Sequence, residues 1–270
     1  TADFTKSSGA LALKDVEATG AGNDITLTAD STGTGADLLK TLDVVGGVTK
    51  DNTGVLILQD DIAGVGAAAN DVVETLNLGL TGEKVTVDIS DLSKLKTVDA
   101  SGSSANTTTT VDAGTLKAVT SVKMGSGADT LTFTTEGKAV TVDLGAGNDT
   151  LITMAVSGAA TNSTANITLG AGKDTIQVAS GLNNVVDVTT FETGMLIIED
   201  FKKGDDTLDF KATGAAKFVT LSGAQIDTAA EKATLKDAIE FIDTLLTTTG
   251  EAAVFNFGSD AYVFVEQNTT

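Results

Sequence analysis

The chain contains no histidine, cysteine, proline, tryptophan or arginine, and each absence removes a class of chemistry. Without histidine there is no imidazole base, no histidine-ligated zinc centre and no Ser-His-Asp triad. Without cysteine there is no disulfide, thiolate nucleophile or iron–sulfur ligand. The compartment stays open, but a secreted chain built this way needs another staple. Average usage would place about 13 prolines in this length. Two readings account for their absence: export in an unfolded state that avoids slow X-Pro isomerisation, or a sheet-rich repeat with few positions that tolerate proline. No run reaches the ~18 apolar residues of a membrane span, so membrane insertion is not expected. The chain opens Thr1-Ala2-Asp3, which resembles no signal peptide, and a mature product or a fragment is the expectation.

Positive charge is scarce as well. Against 37 acidic residues the chain sets 17 basic ones, all lysine, for a net charge of −20. This excludes a nucleic-acid binder that works through a basic surface and disfavours docking on anionic lipid. Hydrophobic residues make up 41% of the 270 positions, enough for a folded core rather than charge-driven disorder. The acids divide into 27 Asp and 10 Glu. Aspartate is a poor helix former that favours turns, so the carboxylates belong to turns, where binding a hard cation is their strongest candidate role.

What the chain has in abundance is repetition. Short β-branched runs, each closing on a glycine, recur at Leu95–Gly102, Val119–Gly125, Ala139–Gly145 and Ala165–Gly170. Second short strands lie between them, at Thr109–Asp112, Thr130–Phe133 and Thr150–Thr153. Two strands and two turns in about 20–25 residues is the unit of a parallel β-solenoid. Residues 1–75 form a less regular β region with strands at Ile25–Thr28, Leu42–Val45, Val55–Gln59 and Val72–Leu78 and a loop at Gly64–Ala69. They are either degenerate coils or a separate β-layer. The solenoid is expected over 76–215 and an α+β cap over 216–270. In the cap, Thr228 and Glu231 have capping-box spacing, and one amphipathic helix presents Leu235, Ala238, Ile239, Ile242, Leu245 and Leu246 before stopping at Gly250. A hairpin follows, Val254–Phe257 with Tyr262–Val265.

The pattern G-x-G-x-D occurs five times, at Gly20–Asp24, Gly33–Asp37, Gly125–Asp129, Gly145–Asp149 and Gly170–Asp174. Random placement of these residues would give roughly 0.3 copies. The three central copies continue Thr-Leu, Thr-Leu and Thr-Ile, so a strand resumes with an inward apolar side chain two places after the Asp. Glycine lets a turn aim successive carbonyls at one point, and the short Asp side chain holds a carboxylate there. Ca²⁺ accepts six to eight such oxygens in tolerant geometry, whereas Mg²⁺ demands a tighter octahedron. Coils of a parallel solenoid lie about 4.8 Å apart, so Asp129, Asp149 and Asp174 would form a column of like charges that intervening ions turn into a staple. The plain alternative is a set of glycine turns. Asp200, Asp206 and Asp209 are further candidates, as are Asp24 and Asp37, although Thr26 rather than an apolar residue follows Asp24. Asp60 with Asp61, and Asp99, are ligand candidates of lower rank and read first as solvated turn residues.

Gly145-Ala-Gly-Asn-Asp-Thr-Leu151 and its neighbours resemble the calcium-binding repeats of RTX β-roll proteins. Leu196–Phe210 resembles the segment that follows such repeats in secreted RTX proteins. Val73–Leu78, Leu95–Ser101 and Phe257–Val265 together resemble RTX-type surface-layer proteins of Gram-negative bacteria. The resemblance implies a right-handed, calcium-stapled parallel β-roll, export by type I secretion machinery, and self-association into a two-dimensional lattice on the cell surface. It also implies carboxylate ligands at Asp129, Asp149, Asp174 and Asp206, with carbonyls near Gly125, Gly127, Gly145, Gly147, Gly170 and Gly172. The chain departs from the family in three respects. Met124, Leu144 and Leu169 stand where the consensus has its first glycine. Successive motifs lie 20 and 25 residues apart instead of the family's shorter repeat, leaving one calcium-type edge per coil. No strand-rich export signal ends the chain, which implies a trimmed one. No G-x-S-x-G, Walker A, H-E-x-x-H or dinucleotide motif is present, so no enzyme activity is expected. The alternative function is a calcium-folded export and stabilisation module of a secreted enzyme, toxin or adhesin.

Overall fold

The computed structural model describes residues 2–3, 8–16, 25–30, 40–48, 55–59, 73–112, 115–134, 139–153, 165–178, 196–210 and 217–266, with the first three stretches and Val48 described by backbone alone. Strands alternate between two parallel sheets. The nine-stranded sheet I stacks, in order, β1 (Ala2–Asp3), β3 (Ile25–Asp30), β5 (Val55–Gln59), β7 (Lys84–Asp88), β9 (Asn106–Val111), β11 (Thr130–Phe133), β13 (Thr150–Thr153), β15 (Thr175–Val178) and β17 (Thr207–Asp209). The eight-stranded sheet II stacks β2 (Ser8–Val16), β4 (Thr41–Val48), β6 (Thr75–Gly82), β8 (Thr97–Asp99), β10 (Ser121–Lys123), β12 (Val140–Asp143), β14 (Ala165–Thr168) and β16 (Leu196–Ile198). The architecture is a β-roll-type solenoid. Strands before residue 76 belong to the same two sheets, with β4 running parallel to β6 from Thr41↔Thr75 to Val48↔Gly82.

The period-2 pattern of each strand explains the packing. In sheet II, Leu42, Leu76, Val98, Val122, Val142 and Ile167 stand in one register column, buried on the inner face. Facing them, sheet I contributes Leu56, Val87, Thr109, Leu131, Leu151 and Ile176. Thr109 is the polar member, and its hydroxyl donates to the Val87 carbonyl at 2.9 Å, which removes most of the cost of burying it. Each fully buried Val, Leu or Ile contributes about 1.5–3 kcal/mol. A single coil cannot bury these faces alone, so stability accumulates by stacking.

The outer face of sheet I carries a ladder of Thr86, Thr108, Thr130, Thr150, Thr175 and Thr207 in continuous register. β-branched neighbours of this kind favour the pleated surface. At the start of the sheet II strands, Glu74 lies between Lys40 at 3.1 Å and Lys96 at 2.5 Å, and the two ammonium groups hold its carboxyl below the usual range.

Residues 217–266 build a separate core. β18 (Lys217–Phe218), β19 (Glu251–Phe257) and β20 (Asp260–Val265) form a three-stranded sheet, β19 and β20 being the expected antiparallel hairpin. Phe255, Ala253 and Leu246 pack with Ala229, Ala238 and Ile242 from two helices, α1 (Gly223–Ala230) and α2 (Leu235–Asp243). The expectation of a single helix is therefore corrected. The capping box is Ser222 with Gln225, one helix earlier than Thr228 with Glu231. Thr228 sits inside α1, where its hydroxyl donates to the Ala224 carbonyl, and Glu231 is the C-cap. Thr234, whose side chain accepts from the Asp237 amide, then opens α2. That helix ends at the C-cap Thr244, well before Gly250. Of the expected apolar face, Leu235, Ala238 and Ile242 are buried on α2 with Ile239 packed beside them, whereas Leu245 and Leu246 lie beyond the end of the helix and join the same core from there.

Candidate metal centre

The three central motifs occupy one edge of the roll, where the chain passes from sheet II to sheet I. Each passage is short because the side chain before its first glycine turns inward: Met124, Leu144 and Leu169 are all buried core residues. An apolar side chain can therefore stand where the RTX consensus has its first glycine. The position is used as an apolar plug.

The loops stack backbone on backbone. The Gly125 carbonyl accepts the Ala146 amide at 2.9 Å, and the Gly145 carbonyl accepts the Ala171 amide at 3.0 Å. Ala146 and Ala171 form a parallel bridge, with the Gly147 amide donating to the Ala171 carbonyl at 2.8 Å. Gly145 and Gly170 hold φ of 87° and 91°, and a Cβ on Gly170 would overlap the Gly145 carbonyl oxygen. Likewise, a Cβ on Gly147 or Gly172 would overlap the Gly127 or Gly147 carbonyl oxygen. These glycines are fixed by close approach between coils.

The aspartates form a column, and backbone amides tie it together. Asp149 Oδ1 accepts the Asp129 amide at 2.7 Å, Asp174 Oδ1 accepts the Asp149 amide at 2.8 Å, and Asp206 Oδ1 accepts the Asp174 amide at 3.1 Å. Asp129 Oδ1 closes the series on the Thr107 amide at 2.6 Å. Each carboxylate thus caps the amide one coil earlier, across 20, 25 and 32 residues of sequence within the aspartate series. Asp129, Asp149 and Asp174 are each 1% exposed. Upstream, the register puts Thr107 and then Val85 at the same inward position, so the charge begins at Asp129.

The second carboxylate oxygens differ. Asp129 Oδ2 accepts the Gly125 amide at 3.1 Å, and Asp206 Oδ2 accepts the Lys202 amide at 2.7 Å. Asp149 Oδ2 and Asp174 Oδ2 are buried with no hydrogen-bond partner. Such a pair of orphaned anionic oxygens is costly in a folded interior unless something compensates the charge. Burial pushes the Asp129 carboxyl up to about 6. Burial, with the charges of Asp129 and Asp174 on either side, pushes Asp149 up to about 7. Asp174 is raised as well, first by burial and then by Asp206 and Asp200.

These shifts have a definite sign. Between pH 4 and 7 the metal-free folded roll holds protons that the unfolded chain has released, so these groups stabilise it most below the ordinary aspartate range. Their contribution is lost as pH rises through about 6 and then about 7. Asp99 and Glu251 act oppositely, since hydrogen bonds lower their carboxyls and their contribution fades only in acid. In chelator, the melting temperature is expected to fall from pH 5 to pH 8. A calorimetric scan series that rises over this interval would contradict the buried column.

The other sequence candidates are placed as follows. Asp200 lies on the same edge but outside the column, its two oxygens accepting the Leu169 and Gly170 amides at 2.7 and 2.8 Å. Asp209 ends β17 opposite Gln177, next to Leu208, which packs on the core, and is not part of the column. Asp99 is the last residue of β8 and not a turn residue, although its Oδ1 accepts from the Ser101 amide and hydroxyl in the turn that follows. Asp24, Asp37, Asp60 and Asp61, with the loop Gly64–Ala69, lie outside the described residues. Sequence reading missed Asn106 and Asn148, whose Oδ1 atoms accept the Ala128 and Lys173 amides at 2.8 and 2.9 Å as an outer rail along the same edge. The only signal was an Asn directly before Asp149, absent from the neighbouring copies. Among the described residues no three acidic side chains converge on one point. A cation here would therefore combine one or two carboxylates with backbone carbonyls. The donor set is all oxygen, which suits a hard ion. Compared with protein-family models, curated proteins and solved structures, the chain gives no match.

Proposed function

We propose that the chain is a calcium-stapled β-roll of the RTX type that serves as a structural segment of a bacterial surface layer. The observation that carries the calcium reading is the buried column in which Asp149 and Asp174 each keep an oxygen without a hydrogen-bond partner. Asp149 and Asp174 would hold the ions, and a bound cation would supply positive charge between coils, where burial and neighbouring carboxylates outweigh the Lys202 ammonium near Asp174. In a low-calcium cytoplasm the column repels itself and opposes folding, which suits export through type I secretion machinery. Outside the cell, modules of this kind bind calcium at about 10⁻⁴–10⁻³ M.

The surface-layer reading rests on the segments Val73–Leu78 and Leu95–Ser101. They supply successive coils of sheet II, with Leu76 opposite Val98, so they extend the roll instead of joining it to a separate unit. Self-association into a two-dimensional lattice at the cell surface follows from this reading. Purified protein spread on a flat support is expected to form ordered arrays with calcium and to lose them in chelator when imaged by electron microscopy. Persistent monomers at high concentration with calcium would favour an export module of a larger secreted protein instead.

A further inference from the structure

Apart from Asp143, which ends β12 and accepts the Gly145 amide of its own loop at 3.1 Å, the aspartates in and beside the column divide into two kinds. Asp129, Asp200 and Asp206 each use both carboxylate oxygens on backbone amides. Asp149 and Asp174 each use one. The ends of the column are also closed in their own ways. At the start, Thr107 replaces the next carboxylate and its hydroxyl donates to the Ala105 carbonyl at 3.3 Å. At the finish, the Asp206 amide turns back to the Lys202 carbonyl at 2.9 Å instead of waiting for a carboxylate from a further coil.

We infer that cations load the column only at Asp149 and Asp174, and that Asp129 and Asp206, which end it, and Asp200 beside it are amide-capping residues. The assignment rests on the calcium reading above and narrows it, because the resemblance alone implies a ligand at every motif aspartate. Two arguments carry it. A carboxylate oxygen already holding an amide at 2.6–3.1 Å has its charge partly compensated, and a cation would have to compete with that donor. Two divalent ions would also offset the four like charges of the column itself, Asp129, Asp149, Asp174 and Asp206, while Asp200 and Lys202, of opposite sign, both act on Asp174 from the flank.

The test uses the full chain and compares variants with wild type. Calcium equivalents are counted by native mass spectrometry and calorimetry, and folding in calcium is checked by circular dichroism. Asp149→Asn and Asp174→Asn are each expected to lose at least one equivalent. Asparagine keeps the oxygen that caps the preceding coil while removing the buried charge. These two variants should therefore melt higher than wild type in chelator and lower at saturating calcium. Asp129→Asn and Asp206→Asn are expected to keep the wild-type count, with the same downward shift in melting temperature in both conditions. Asp206→Asn, at the more open end, keeps the test decisive if the buried Asp129→Asn variant does not fold. Loss of an equivalent in either capping variant overturns the division of roles while leaving the calcium reading intact. A wild-type chain that takes up no calcium overturns both.

Discussion

Chelator is expected to lower the melting temperature of the chain by about 6–12 °C relative to calcium at ten times its dissociation constant. Each site filled to that degree adds about 1.4 kcal/mol, so two sites add about 3 kcal/mol. In a domain of roughly this size, 1 kcal/mol moves the midpoint about 2–4 °C. The sum is a large share of a typical stability of about 5–15 kcal/mol. The cause is local. Without an ion, Asp149 must either remain charged and unpaired or take up a proton, and near neutral pH both options cost stability because burial has moved its carboxyl up to about 7. Differential scanning calorimetry at pH 7.5 with and without calcium reads the effect directly. Superimposable transitions would remove calcium from the account.

Alanine at Gly170 is expected to be as damaging, for a reason independent of any ion. Two penalties coincide there. The backbone holds φ of 91°, which costs an L-residue about 1–2 kcal/mol, and the new methyl would overlap the Gly145 carbonyl of the adjacent coil. That neighbour is backbone held by its own bond to Ala171, so it cannot rotate aside. A loss on the order of 4 kcal/mol follows. Two controls separate the causes. Gly204 has φ of 99° with open space around it, so Gly204→Ala should show the conformational cost alone. Gly223, at the start of α1, also has open space and no positive φ, and its replacement by alanine should be neutral or mildly stabilising. Chemical denaturation of the three variants would rank them. Equal losses at Gly170 and Gly204 would mean that the coils are not packed this closely.

The same contrast explains what could be read from the sequence. The coils around Asp129, Asp149 and Asp174 were legible because close approach and turn geometry leave glycine few substitutes, and because Thr-Leu or Thr-Ile marks where each strand resumes. Strands β11, β13 and β5 fall on their expected bounds, Thr130–Phe133, Thr150–Thr153 and Val55–Gln59. Coils before Asp129 were harder to read, since the inward position there is filled by Thr107 or Val85 and no charge announces it. The two helices were merged because Thr228 and Thr234 both offer capping chemistry, and only tertiary packing decides which one begins a helix. The division of the carboxylates was not legible at all. Which amide each oxygen meets depends on the register between coils, and residues identical in type and motif receive different partners.

One margin of the roll keeps constant phase while the other does not. From Val122 to Leu131, Val142 to Leu151 and Ile167 to Ile176 the passage has a fixed length, yet successive coils take up 20, 25 and then 32 residues. Nearly all of that variation falls on the return from sheet I to sheet II, since Leu131 to Val142, Leu151 to Ile167 and Ile176 to Ile198 grow progressively longer, while on the aspartate side Ile198 to Leu208 exceeds Ile167 to Ile176 by a single residue. The stacking of aspartates is thus set by coil-to-coil register, and the return passage can change length without moving Asp149 off Asp174.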